Sequence, residues 1–163
     1  MDDSISEIVA NSLSTKKPIS ELIIEQECTL SGLTRDAVFE KMKCNLEVML
    51  ASVERGIQGQ GVFSKTWLTG GEAVKVKKYR KLNKSLSGDD MMIAVEAAMA
   101  TNEVNAAMGV VCATPTAGSS GTLPGVLYLL KKKLNLNQEQ MLSFLFTAGG
   151  LGLVIANHSG IAG

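Results

Sequence analysis

The residues best equipped for chemistry lie in the stretch 112–125. There Thr114, Thr116, Ser119, Ser120 and Thr122 are interleaved with Gly118, Gly121, Gly125, Pro115 and Pro124, and no charged residue interrupts them. Gly118 and Gly121 permit positive φ and let a ligand approach the backbone closely. The hydroxyls add donors beside main-chain N–H groups, and Pro124 suits the first turn of a helix, where its missing N–H costs nothing. A neutral loop of this kind aims donors and the positive end of a helix dipole at one point, which suits a small anion. A plain Gly/Ser turn between two buried apolar flanks, 108–111 and 126–130, accounts for the same composition. On the residues alone both readings stand.

Three further groups carry polar chemistry. Thr101-Asn102-Glu103-Val104-Asn105 places four hydrogen-bonding side chains in an alanine-rich helical segment, 91–108, either as an exposed turn or as a polar pocket wall. Lys84-Ser85-Leu86-Ser87-Gly88 is a small polar loop ahead of that segment, which Asp89 or Asp90 is placed to cap. Thr69-Gly70-Gly71-Glu72 reads as a capping box opening a helix, with a place for an anion at its two glycines. His158 is the single histidine, and such a residue is more often structural than catalytic. Cys28, Cys44 and Cys112 lie far apart without a C-x-x-C pair, which is neither a disulfide framework nor a local metal site and fits a reducing cytoplasm.

Helices must position these groups. Short ones are expected at 4–13 and 18–28. The clearest runs from Thr34, a plausible N-cap, to Ile57, with Val38, Met42, Leu46, Met49, Leu50, Val53 and Ile57 at steps of three and four. Gly56, Gly59 and Gly61 then turn the chain. After the 112–125 loop come a helix at 126–134, closed by Lys131-Lys132-Lys133, and a last long one opened by the capping box Asn137-Gln138-Glu139-Gln140. The uncharged stretch 141–156 is shorter than the roughly 20 residues of a membrane span and reads as a buried core helix. The N-terminus lacks the apolar region of a signal peptide. With 163 residues, one mainly α domain is the simplest expectation, residues 1–33 forming short peripheral helices and 34–163 the helical core. Sixteen basic residues balance sixteen acidic ones, so no global field attracts nucleic acid or an anionic membrane. The basic run from Lys75 to Lys84 lacks interleaved aromatics and reads as a solvated face.

Taken in register, these loops resemble a known family. Thr69-Gly70-Gly71, Lys84 to Gly88, Ala100 to Gly109, Cys112 to Gly125 and Phe144-Leu145-Phe146-Thr147-Ala148-Gly149 look like successive motifs of the alpha chain of bacterial iron–sulfur-dependent L-serine dehydratase. The resemblance runs from about Pro18 to Gly163. It implies a helical catalytic domain of amino-acid metabolism that removes water from L-serine, the aminoacrylate then hydrolysing to pyruvate and ammonia. It also implies a [4Fe–4S] cluster acting as Lewis acid, without pyridoxal phosphate, and a beta chain as partner.

That chemistry would assign the carboxylate of L-serine to the Thr114, Thr116, Gly118, Ser119, Ser120, Gly121 and Thr122 loop. Asn102, Glu103 and Asn105 would hold its ammonium, and Lys84 and Ser85 would add charge and hydrogen bonds. The catalytic base is unassigned. In the family the cluster cysteines lie downstream of a motif at which this sequence stops, and Cys28, Cys44 and Cys112 do not occupy their positions. The expectation is therefore a piece truncated before its cluster site, inactive alone and holding no cluster. Its last helix would be partly uncovered at Leu151, Leu153, Val154 and Ile155, favouring self-association as a homo-oligomer. The ending Asn157-His158-Ser159-Gly160-Ile161-Ala162-Gly163 departs from the family pattern, so His158 inherits no role. A rival reading is a non-catalytic helical module that binds a small amino acid or a partner.

Overall fold

Apolar residues at steps of three and four, punctuated by Gly, Pro and Asn, give seven helices. They are α1 (Ile5–Thr15), α2 (Ile19–Ser31), α3 (Arg35–Gln58), α4 (Glu72–Leu82), α5 (Gly88–Ala106), α6 (Thr122–Leu134) and α7 (Gln138–His158). The structure is a computed structural model that describes residues 4–82 and 85–158; among these there is no strand, and the mainly α expectation holds. Contacts divide the chain into two compact units, residues 1–46 with 137–163, and residues 47–136. The first half of α3 belongs to one and its second half to the other.

In the first unit α2 packs on α7 through a close approach. A Cβ on Gly150 would lie 2.4 Å from Ile23 Cδ1, so a side chain there would require Ile23 to move. Phe146, buried, tilts against Phe39 with ring centroids 5.3 Å apart. The Arg35 guanidinium lies over Phe39 and also pairs with Glu21. Thr34 caps α3 as expected, its Oγ1 accepting from Ala37 N–H at 3.3 Å.

The capping box of α7 closes in both directions. Asn137 N–H donates to Gln140 Oε1 at 3.0 Å, and Gln140 N–H donates to Asn137 Oδ1 at 2.9 Å. Asn137→Ala removes one arm, and a loss of about 1 kcal/mol is expected by urea denaturation. α7 is longer than the apolar stretch suggested, continuing through Asn157 and His158; residues 159–163 lie outside the described residues. By length and composition it is the one described helix able to cross a membrane, so shortness does not argue against a span. What favours a packed helix is its buried face: Met141, Leu142, Leu145, Phe146, Gly150 and Val154. Leu153 and Ile155 are exposed, as expected, whereas Val154 turns inward.

The second unit is built around α5. Alanine, with no bulk beyond Cβ, lets other elements approach this helix from three sides. Ala97 and Ala100 meet Val53, Ile57 and Ala73 in one cluster, and Thr101 reaches Ser52 of α3 at 3.5 Å between hydroxyls. Gly56 sits in α3 rather than in the turn that follows, and a Cβ there would lie 2.5 Å from Ala100 Cβ. Glu96 and Glu103, two turns apart, face α4, while Ala94, Ala98, Asn102 and Asn105 face α6 and the loop before it. A helix surrounded in this way has no single apolar stripe. For that reason the polar run at 101–105 does not interrupt α5: its members point to different neighbours.

Other local expectations change. α4 begins at Glu72, not after Thr69: Gly70 and Gly71 take φ of 138° and 83°, and Glu72 Oε2 accepts from Gly70 N–H at 2.7 Å. The Thr69 hydroxyl therefore opens no capping box. Asp89 and Asp90 lie inside the first turn of α5, paired with Arg80 and Lys133, and do not cap it. α6 starts at Thr122, a turn earlier than expected. The lead-in to the loop is not buried: Met108 and Val110 are 76% and 75% exposed.

Candidate functional site

The 112–121 loop is organised by its own hydroxyls. Ser119 Oγ donates to Thr114 O at 2.8 Å and accepts from Thr116 N–H at 3.2 Å. Thr114 Oγ1 returns a bond to Ser119 O at 3.2 Å, and Thr116 Oγ1 accepts from Ser119 N–H at 3.3 Å. The chain then tightens into α6 through Ser120 N–H to Ala117 O and Thr122 N–H to Ser119 O. The Thr114–Pro115 peptide is cis.

Two asparagines of α5 join this loop. Residues three apart share a helix face, and Asn102 and Asn105 both meet the loop. Asn105 Nδ2 donates to Ala117 O at 3.2 Å. Asn102 is exposed, and its Oδ1 lies 2.9 Å from where a Cβ on Gly121 would stand. The same Cβ would be 2.3 Å from Ala98 O, so Gly121 is the contact that seats α6 on α5. The N-terminal end of α6 thus carries Thr122, exposed and next in sequence to Gly121, and no acidic residue in its first turn offsets the positive end of its dipole. Ser120 is fully buried, and its Oγ lacks a hydrogen-bond partner, which is uncommon for a hydroxyl in a protein interior.

Not every expected residue converges here. Ser85 hydrogen-bonds to Ser87 at the far end of α5; at 1.5 Å per residue, the helix places about 21 Å between Gly88 and Asn102. Lys84 lies outside the described residues. Glu103 turns away from Asn102 and Asn105: buried, it accepts from Ala73 N–H at 2.9 Å. Burial, with the neighbouring Glu72 carboxyl, pushes the Glu103 carboxyl above its ordinary value. The neighbouring Glu103 carboxyl, with backbone N–H donors such as that of Gly70, holds Glu72 below its own. Neither this carboxyl pair nor the ion pair of Arg80 with buried Glu96 has a sequence signal, because the partners lie on different helices.

The residues present do not fit an iron–sulfur cluster. Among the described residues no three His, Cys, Asp or Glu side chains converge. Cys28 and Cys44 belong to the first unit and Cys112 to the second. Burial raises the Cys112 thiol above its ordinary range, which disfavours the thiolate a metal needs. His158 ends α7 with its Nδ1 2.9 Å from Val154 O.

With this geometry in place, comparison with known proteins gives a consistent answer. Residues 14–163 match the family described as serine dehydratase alpha chain. The chain is 52% identical over 145 residues to a "Probable L-serine dehydratase, alpha chain" of Bacillus subtilis, covering 89% of this chain and 48% of that protein. It is 32% identical over 145 residues to an "L-serine dehydratase, alpha chain" of Peptoniphilus asaccharolyticus, covering 89% and 49%. A shorter match, 56% over 75 residues, joins it to a probable alpha chain of Latilactobacillus sakei, with 46% and 36% covered. The chain spans about half the length of the Bacillus subtilis and Peptoniphilus asaccharolyticus relatives. No solved structure matches it.

Proposed function

Because this chain belongs to the serine dehydratase alpha chain family, we propose that it is the substrate-holding part of an L-serine ammonia-lyase. The match over residues 14–163 carries the reading. In this reaction L-serine loses its α-proton and β-hydroxyl as water, and the aminoacrylate left behind hydrolyses to pyruvate and ammonia. The substrate carboxylate rests at the N-terminal end of α6, facing Thr122 and the Asn102 amide, on a loop whose shape Ser119 and Asn105 maintain. The residues of this chain bind and orient. A [4Fe–4S] cluster, in place of pyridoxal phosphate, would supply Lewis acidity in this activity, and the described residues of this chain offer no ligand set for it. A beta chain is the proposed partner, and the cytoplasm the proposed location.

The test uses the gene's full reading frame, expressed anaerobically with a beta chain and assayed for pyruvate from L-serine. Pyruvate release is expected. Asn102→Ala and Thr122→Ala should each lower kcat/KM about tenfold, the loss of one hydrogen bond to a charged group. No pyruvate from a cluster-loaded preparation would overturn the reading. Serine binding without turnover would favour a non-catalytic amino-acid-binding module.

A further inference from the structure

The turn between α3 and α4 displays its largest side chains to solvent. Trp67 and Leu68 are 75% and 84% exposed, and Phe63 beside them is half-exposed. Hydrogen bonds fix this display. Ser64 N–H donates to Thr69 O at 3.0 Å, Trp67 N–H to Ser64 O at 2.9 Å, and Thr69 N–H to Ser64 Oγ at 3.3 Å. The Phe63 and Trp67 rings lie 5.1 Å apart. Buried Val62 and the close approach of Gly70 to the Phe63 backbone root the turn. Trp67 itself takes a φ of 59°, a left-handed conformation that a bulky residue adopts under constraint and that clusters at functional sites. The surroundings are cationic. Lys65 is exposed in the turn, and Lys75, Lys78, Tyr79 and Leu82, at helical steps of three and four, are exposed along α4. Between Lys65 and Lys81 the one acidic residue is Glu72, whose Oε2 accepts from Gly70 N–H.

The first unit carries a surface of the opposite kind. Ile8 of α1, Ile23 and Leu30 of α2, and Leu153 and Val154 of α7 line an apolar cleft. Glu27 lies on its lining, which holds no lysine or arginine. Leu30 and Leu153 are 59% and 45% exposed, and Glu27 and Glu7, the neighbour of Ile8, are exposed as well. Turn and cleft are thus both open to solvent, and their charges have opposite signs.

We propose that the Trp67–Leu68 turn of one copy of this chain docks in the α1–α2–α7 cleft of a second. Trp is over-represented among the residues that dominate binding energy, and a turn already fixed loses little freedom when it docks. Lysines flank the apolar tip and carboxylates flank the apolar cleft. The charges therefore draw tip to cleft and oppose the pairing of tip with tip. An anionic lipid surface would satisfy the turn but leave the cleft bare, whereas a second copy covers both. The contact is head-to-tail, since each copy contributes a different surface. It uses no residue of the 112–121 loop and stands whether or not the proposed reaction does.

Analytical ultracentrifugation of the 163-residue chain over a concentration series tests the contact. The average mass of the wild type should rise above that of a monomer. Trp67→Ser with Leu68→Ser removes the tip, and Leu153→Lys places a cation in the cleft. All three positions are exposed, so both variants should fold, as circular dichroism checks. Each variant alone should stay monomeric. Mixed, they should form a one-to-one dimer and nothing larger, because the first keeps a working cleft and the second a working tip. Leu30→Lys, at the other exposed leucine of the cleft, should behave as Leu153→Lys does. A wild type that stays monomeric up to about 1 mM would overturn the proposal. Sedimentation of that monomer with phosphatidylserine vesicles would assign the turn to a lipid surface instead. Association that survives either variant, or a mixture that stays monomeric, would overturn it as well.

Discussion

Arg80→Met is expected to destabilise the 47–136 unit by about 3–5 kcal/mol, the range for removing one partner of a buried ion pair. The Glu96 side chain is only 4% exposed, and Arg80 Nε donates to it at 3.0 Å. Without Arg80, the Glu96 charge stays in the interior with neither water nor a counter-ion. The second contact of Arg80, to Asp89, is solvent-facing and contributes little. Urea denaturation followed by circular dichroism measures the loss. One control separates charge from packing. Arg80→Met with Glu96→Met should recover most of the stability, because an apolar pair of similar volume often replaces a buried ion pair without loss. Equal losses in the single and double variants would show that packing, not charge, was removed.

Gly121→Val should cost about 3 kcal/mol, the upper part of the overpacking range. The φ of Gly121 is −82°, so the demand is for space and not for an unusual backbone. A Cβ would stand 2.3 Å from Ala98 O and 3.0 Å from Ala98 C, backbone atoms of α5 that cannot rotate away. Relief requires α6 to move off α5, carrying the 112–121 loop and Thr122 from Asn102. Gly118→Ala is the matched control: its nearest neighbour would be Thr116 Oγ1 at 3.8 Å, and a change within about 0.5 kcal/mol is expected. Thermal melts of both variants decide the matter, and similar shifts would show that the 2.3 Å contact relaxes freely.

Both predictions rest on relations between helices, which is where the sequence was least informative. Helices could be read because their signals are local: the α3 stripe from Val38 to Ile57, the Thr34 cap and the Asn137–Gln140 box lie within a few residues. The α4 box misled because Thr-x-x-Glu ignores backbone conformation; Gly70 and Gly71 in the left-handed half of φ space move the helix start to Glu72. At 101–105 the polar run was visible, but its sorting was not. Steps of 100° send Thr101 and Glu103 inward and Asn102 and Asn105 toward the loop, so a group contiguous in sequence does not form one site. The family motifs were legible as a series in register, whereas the place of Ser85 at the other end of α5 required the fold.

The hydroxyl bonds within 112–121 bear on how a ligand would be met. A segment this rich in glycine and serine would ordinarily sample many conformers and lose that freedom on capture, weakening affinity by the ordering cost. Here Thr114, Thr116 and Ser119 already constrain one another, and Asn105 ties Ala117 to a helix. Most of the ordering cost is therefore incurred when the chain folds. Whatever docks at the start of α6 meets a preorganised surface and loses chiefly its own translational and rotational freedom.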